Sequence, residues 1–186
     1  MDVTNTMADR IETTALAEVR AGNHDSYRIL VERYHRGLVQ HCYNVTRDLA
    51  LAEDIAQEAF VRAHDKLAQY NEAYAFSTWL YKIAHNITYG YLRKQQFTEA
   101  IDDHQEHLAD DRPSLDELTD REFTRQAVQT AIATLPANYR QVLALYYWSE
   151  YSYEEIATIM DRPVGTIRTW LHRAKEQLRK ELYGKV

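Results

Sequence analysis

The chain has 186 residues, 45% hydrophobic and 27% charged, enough for one large or two small helical domains with buried cores. A single cysteine excludes an internal disulfide and any multi-thiolate zinc site, and a net charge of −6 argues against loose, non-specific coating of nucleic acid. No apolar run approaches the ~20 residues that cross a bilayer, and the opening MDVTNTMADRIE lacks the basic start and apolar block of a secretory signal, so a cytoplasmic protein without membrane insertion is expected.

With five glycines, three prolines and no run of alternating β-branched residues, the fold class is all-α. Residues 1–23 form a polar N-terminal extension with one helical pattern around Ile11, Leu16 and Val19. Tyr27, Leu30, Val31, Tyr34, Leu38, Val39, Cys42, Tyr43 and Val45 then predict a long amphipathic helix in which Cys42 is a buried structural thiol. Asp48 caps a next helix over about residues 50–70. Its inner stripe is Ala52, Ile55, Ala56, Ala59, Phe60, Ala63 and Leu67, and its outer side shows Asp54, Gln57, Glu58, Val61, Arg62 and Asp65. That outer side fits either a solvated face or a partner surface. Residues 71–75 read as a loop, after which Ser77 caps a helix over about 78–94. Trp79, Ile83 and Ile87 would be its core stripe, leaving Tyr81, Asn86 and Tyr89 off it. Aromatic rings interleaved with Lys82, His85, Asn86, Arg93 and Lys94 suit a surface that stacks on unpaired bases, at ~1–3 kcal/mol per base.

Residues 96–121 form an acidic linker; between 99 and 122 ten acids face two bases, a net of −8. His104 and His107 lie there with no cysteine nearby, so neither a metal nor a cofactor is expected. Order resumes with Phe123, Ala127, Val128, Ala131, Ile132 and Leu135, breaks at Pro136, and continues as Tyr139, Val142, Leu143, Tyr146 and Tyr147. Ser152 and Glu155 make a capping box ahead of a short helix with Ile156, Ile159 and Met160 inward. Asp161-Arg162-Pro163 breaks it, and a second helix opens at Gly165 or Thr166 with Ile167, Leu171, Ala174 and Leu178 on one face. The opposite face carries Arg168, Thr169, His172, Arg173, Lys175 and Arg179. Two helices across a tight break, the second cationic outside, describe a helix-turn-helix that enters a major groove. Residues 162–186 hold seven bases against two acids, so the local charge is positive where phosphates would be met.

The ordered trio DLALAEDIAQEAFVRAHDKL, FSTWLYKIAHNITYGYLRK and LPANYRQVLALYYWSEYSYEEIATIMDRPVGTIRTWLHRAKEQLRKEL resembles bacterial RNA polymerase sigma factors of the extracytoplasmic-function group. The resemblance covers nearly all of residues 24–183 and implies two domains, region two over 24–95 and region four over 122–186, joined by the linker. It implies that Asp54, Gln57, Glu58 and Arg62 dock on the clamp coiled coil of the largest polymerase subunit, with a further contact on the flap. Trp79, Tyr81 and Asn86 would melt and hold the minus-10 element, with Arg93 and Lys94 on nearby phosphates. The loop of residues 70–76, including Tyr70 and Asn71, lies where the family captures a flipped base. Thr166, Arg168, Thr169 and Arg173 would face the minus-35 major groove. Implied partners are core RNA polymerase, promoter DNA and an anti-sigma factor, with a monomer when free of them. This chain departs from many relatives in carrying Trp170 for an arginine, in the loop YNEAYAF, and in following Arg93-Lys94 with two glutamines.

Two other classes are weaker. A conventional helix-turn-helix regulator acting without polymerase would leave Trp79, Asn86 and the docking helix without a joint explanation. An enzyme would need a nucleophile–base pair, a phosphate-cradling glycine loop or metal-ligand spacing, and the chain offers none of these patterns.

Overall fold

A computed structural model describes residues 3–101 and 120–183, with side chains over 9–94 and 127–182. His104, His107 and Pro113 lie outside the described residues, as does the side chain of Phe123. No strand occurs among the described residues. The chain divides into two compact units, one of Met1–Thr88 with Thr158–Asp161 and one of the remainder.

The first unit begins with α1 (Val3–Arg20), a full helix where the sequence shows a single weak pattern. Ala15, Leu16 and Val19 are buried, whereas Ile11, expected on that face, is 47% exposed. A 3₁₀ turn at His24–Ser26 leads into α2 (Tyr27–Thr46), which buries Leu30, Leu38, Cys42 and Val45 along one stripe. Burial pushes the Cys42 thiol up to about 12, so it is an inert core group. Arg47 ends α2 in the left-handed conformation at φ 62°, and Asp48 starts α3 (Leu49–Asp65) by accepting the Leu51 amide at 3.0 Å. The inner face of α3 is nearly all alanine: Ala52, Ala56, Ala59 and Ala63 are fully buried. Such small side chains let α2 and α3 pack closely, with Ile55 and Phe60 filling the seam between the alanines.

After a 3₁₀ turn at Leu67–Gln69 and a loop, α4 (Phe76–Ile101) starts ahead of the expected Ser77 cap and runs past Lys94. Its core register also differs from the expected stripe. Phe76, Leu80, Tyr81, Ala84 and Ile87 are buried, while Trp79 and Ile83 are half-buried at its margin. The anchor is Phe76, fully buried against Tyr34, Tyr70 and Trp79 at ring separations of 5.9, 5.7 and 5.8 Å. Packing of Phe76 against Tyr34 and Tyr70 turns the inward face by one residue from the expected stripe and carries Tyr81 into the core.

From residue 120 onward the chain forms α5 (Asp120–Ala133), α6 (Ala137–Leu143), α7 (Tyr153–Met160) and α8 (Val164–Tyr183). Pro136 sits at the N-cap of α6, where its missing N–H costs nothing. A single π-helical turn at Ala144–Trp148 follows α6. Its wider winding turns Tyr147 and Trp148 outward, 51% and 47% exposed. Ser152 and Glu155 form the expected capping box: the Ser152 amide donates to Glu155 Oε2 at 2.9 Å and the Glu155 amide to Ser152 Oγ at 3.3 Å. Asp161 ends α7 at φ 53°, the Arg162 amide closes on the Ala157 carbonyl at 3.0 Å, and α8 starts at Val164. Ile156, Ile167 and Ala174 are fully buried, with Leu171 nearly so, which fixes the rotation of α8 about its axis.

Candidate nucleic-acid and docking surfaces

On α3 the alanine-rich face is inward, so Asp54, Gln57 and Arg62 stand exposed on the other side with Glu58 between them. Glu58 and Arg62, one turn apart, form an ion pair. Val61 and Leu49, each 56% exposed, put apolar surface beside these charges. A groove of about 640 Å³ runs between α2 and α3, lined by Tyr27, Val31, His35, Gln57, Phe60 and Val61 among others. This face thus brings together one ion pair, the exposed Asp54 carboxylate and the apolar Val61 next to a groove.

The loop of residues 70–76 and the start of α4 form an aromatic cluster. Tyr70 is 8% exposed, its ring 5.2 Å from Trp79, and its hydroxyl donates to the Tyr74 carbonyl at 2.7 Å. Asn71 caps the turn by accepting the Ala73 amide at 2.9 Å. Tyr70 is therefore a wall of the loop, and Tyr74, 52% exposed, is the ring the loop presents outward. The role of Tyr74 is not legible in the sequence, because a tyrosine in an irregular segment has no periodicity to assign it a face.

Along α4 the named residues separate. Asn86, Arg93 and Lys94 are exposed, as are Tyr89 and Tyr91. Trp79 is half-buried with an edge in reach of solvent. Tyr81 is 6% exposed, tilted against His41 at 5.2 Å. Its hydroxyl lies 3.1 Å from where a Cβ on Gly37 would stand, so only glycine there leaves the ring comfortable room. The expectation that Tyr81 lies off the core face is corrected: its ring supports α4 from beneath, and among the described side chains of this helix the exposed rings are Tyr89 and Tyr91.

On α8, Arg168, Thr169 and Arg173 are exposed and Thr166 is half-buried, with the apolar residues between them turned inward. The Thr169 hydroxyl donates to the Gly165 carbonyl at 2.9 Å, which holds its side chain against the preceding turn. Arg168 lies over the Tyr153 ring at 5.5 Å, and Tyr153 stacks on Tyr146 at 5.3 Å with only 7° between planes. Lys175 sits over both Tyr146 and Tyr147, at 5.7 and 5.3 Å. A hydrogen bond with Tyr146 raises the Tyr153 phenol above its usual range, and one with Tyr147 raises Lys175, so both stay protonated. Arg168 and Lys175 are thus held on a tyrosine platform. The platform joins three successive elements, the π turn, α7 and α8, and no single local pattern in the chain signals it.

Among the described residues no cluster of three or more histidines, cysteines or carboxylates is placed to hold a metal, and no helix is long and apolar enough to cross a membrane.

Comparison with known proteins finds a family match on each of the two helical modules. Residues 30–98 match the family described as Sigma-70 region 2, and residues 125–178 match Sigma-70, region 4. The chain is 36% identical over 177 residues to the ECF RNA polymerase sigma factor SigW of Bacillus subtilis, covering 90% of this chain and 94% of that protein. It is 33% identical over 184 residues to the ECF RNA polymerase sigma-E factor of Escherichia coli K12, covering 92% and 95%. Its fold is similar to that of CnrH, solved in complex with the cytosolic domain of CnrY, with a TM-score of 0.70 at 21% identity, covering 96% of this chain and 99% of that one. It is also similar to RpoE of Bartonella quintana, solved in complex with the anti-sigma factor NepR, with a TM-score of 0.67 at 23% identity over 84% and 96%.

Proposed function

The chain belongs to the extracytoplasmic-function sigma factors of the sigma-70 family, and from that premise we propose how its surfaces divide the work of starting transcription. It is an initiation factor, neither an enzyme nor a conventional regulator acting without polymerase. It binds core RNA polymerase in the cytoplasm, directs it to a two-part promoter and stabilises the melted start.

Region two, over residues 24–95, docks through Asp54, Gln57, Glu58 and Arg62 on the clamp coiled coil. The exposed Val61 beside them supports this assignment, since an apolar side chain among charges favours a packed partner. The loop of residues 70–76 takes an unpaired minus-10 base; Asn71 meets it, and Tyr70 and Trp79 form the wall behind it. Asn86, Arg93 and Lys94 hold the strand, and Tyr81 acts from the core by positioning α4. Region four, over residues 122–186, enters the minus-35 major groove with Thr166, Arg168, Thr169 and Arg173 and meets the polymerase flap. The acidic linker of residues 96–121 joins them.

The single observation that carries this reading is the presence, in one chain and in family order, of both the region two and region four matches. A regulator would need only the second. The solved neighbours in complexes with CnrY and NepR support a further partner, an anti-sigma factor that covers these surfaces while the protein is silent. The test is selection of DNA from a random pool by core polymerase with and without the purified chain. Enrichment of a two-part motif only with the chain is expected. Equal enrichment without it, or a palindrome bound by the chain alone, would overturn the assignment.

A further inference from the structure

We propose that the N-terminal helix braces the loop of residues 70–76, and that Arg20 is the positioning residue through which it sets base selection there. This rests on the reading of that loop as the capture site for an unpaired base.

Arg20 closes α1, and its side chain crosses to a segment 50 residues further along the chain. Its Nη2 donates to the Tyr70 carbonyl at 3.0 Å, its Nη1 pairs with the Glu72 carboxylate, and its guanidinium lies over the Tyr70 ring at 5.6 Å. One planar fork therefore fixes the backbone, a side chain and a ring at the start of the loop. The other end is tied to the same helix. Tyr34 donates to the Glu12 carboxylate, and the Tyr34 ring packs on Phe76 at 5.9 Å. Arg33 holds Glu12 in place from 3.4 Å and Asp9 from 3.2 Å. Both ends of the loop are thus held from α1, while Asn71, Ala73 and Tyr74 between them remain exposed.

The contacts are unequal. Glu72 has a side chain 70% exposed, so its ion pair with Arg20 is screened and weak. The carbonyl bond and the stacked ring dominate, because they fix the backbone at Tyr70 and the ring that walls the loop. A loop already shaped for its ligand binds without first losing conformational freedom, and a loop released from α1 would have to be ordered by the base itself. Loosening also lets the loop adapt to other bases, so affinity and discrimination fall together.

The experiment uses holoenzyme assembled from core polymerase and the full chain, with fluorescent single-stranded oligonucleotides carrying the selected minus-10 sequence and each of the four bases at the captured position. Arg20→Ala is expected to weaken binding of the preferred base roughly tenfold, the scale of one charge-assisted hydrogen bond. Preference over the other three bases should shrink, with affinity for core polymerase unchanged. Glu72→Gln should change little. Should Arg20→Ala fail to fold, Arg20→Lys keeps the charge and removes the fork, and is expected to lose part of the discrimination. Unchanged base preference in Arg20→Ala, or in Arg20→Lys where the former does not fold, overturns the brace while leaving the loop's assignment standing. A wild-type holoenzyme without base preference at any position overturns the assignment of the loop, and the brace with it.

Discussion

Arg168 shows how a single side chain can be read two ways. It points outward from α8, as a base reader must, yet it rests on the Tyr153 ring, which limits where its guanidinium can go. A bidentate contact to a guanine edge discriminates by ~1–3 kcal/mol, whereas a phosphate contact is indifferent to sequence. Arg168→Ala is expected to relax preference at particular minus-35 base pairs by that amount, measured by binding to a panel of single-substitution promoters. A uniform loss across the panel would make it a phosphate contact. Tyr153→Ala should reproduce a fraction of the effect, about 0.5–1 kcal/mol for an exposed cation–π contact, and add little to Arg168→Ala. His41 is the corresponding case in a core. Burial, and secondarily the nearby His85, push its imidazole down to about 3, and its Nδ1 has no hydrogen-bond partner. The unfolded chain takes up a proton below about pH 6.5 that the folded one refuses. Stability is therefore full above that pH and falls as pH drops from there toward 3, at up to ~1.4 kcal/mol per unit. Melting temperatures between pH 7 and 5 should decline less steeply for His41→Leu than for wild type; parallel declines would place the acid sensitivity elsewhere.

Elements were legible in the sequence where their signals are local. Asp48 caps α3 and Ser152–Glu155 cap α7 because a cap needs only three or four neighbouring residues to form. The register of α4 was less legible. Trp79, Ile83 and Ile87 make as good a stripe on paper as Phe76, Leu80, Ala84 and Ile87, and the choice was made by Phe76 packing on Tyr34 and Tyr70 from other segments. The π turn at Ala144–Trp148 was likewise hidden, since no residue type announces one extra residue in a turn. For α3 the sequence suffices: four buried alanines on one face dictate which residues face out. The double variant Asp54→Ala with Glu58→Ala should abolish association with core polymerase in size-exclusion chromatography. Its melting temperature should barely change, because an exposed i,i+4 ion pair contributes only ~0.3–0.5 kcal/mol. Normal association would remove α3 from the docking surface.

At the scale of the whole chain, the sequence shows two helical modules and an acidic stretch between them, and the two family matches fall on those modules. The ties between distant segments were not legible, because Arg20 on the Tyr70 carbonyl and Tyr153 under Arg168 depend on the packed fold rather than on spacing. A formal charge of −6, averaged over the chain, hides the cationic C-terminal segment that contains α8. The central claim, that this chain hands core polymerase a start site, is tested most directly by run-off transcription from a selected promoter with purified core enzyme. Transcripts of one defined length, appearing only when the chain is added and lost when the minus-10 or minus-35 element is scrambled, are the predicted result. Transcription that is the same with and without the chain would contradict the account.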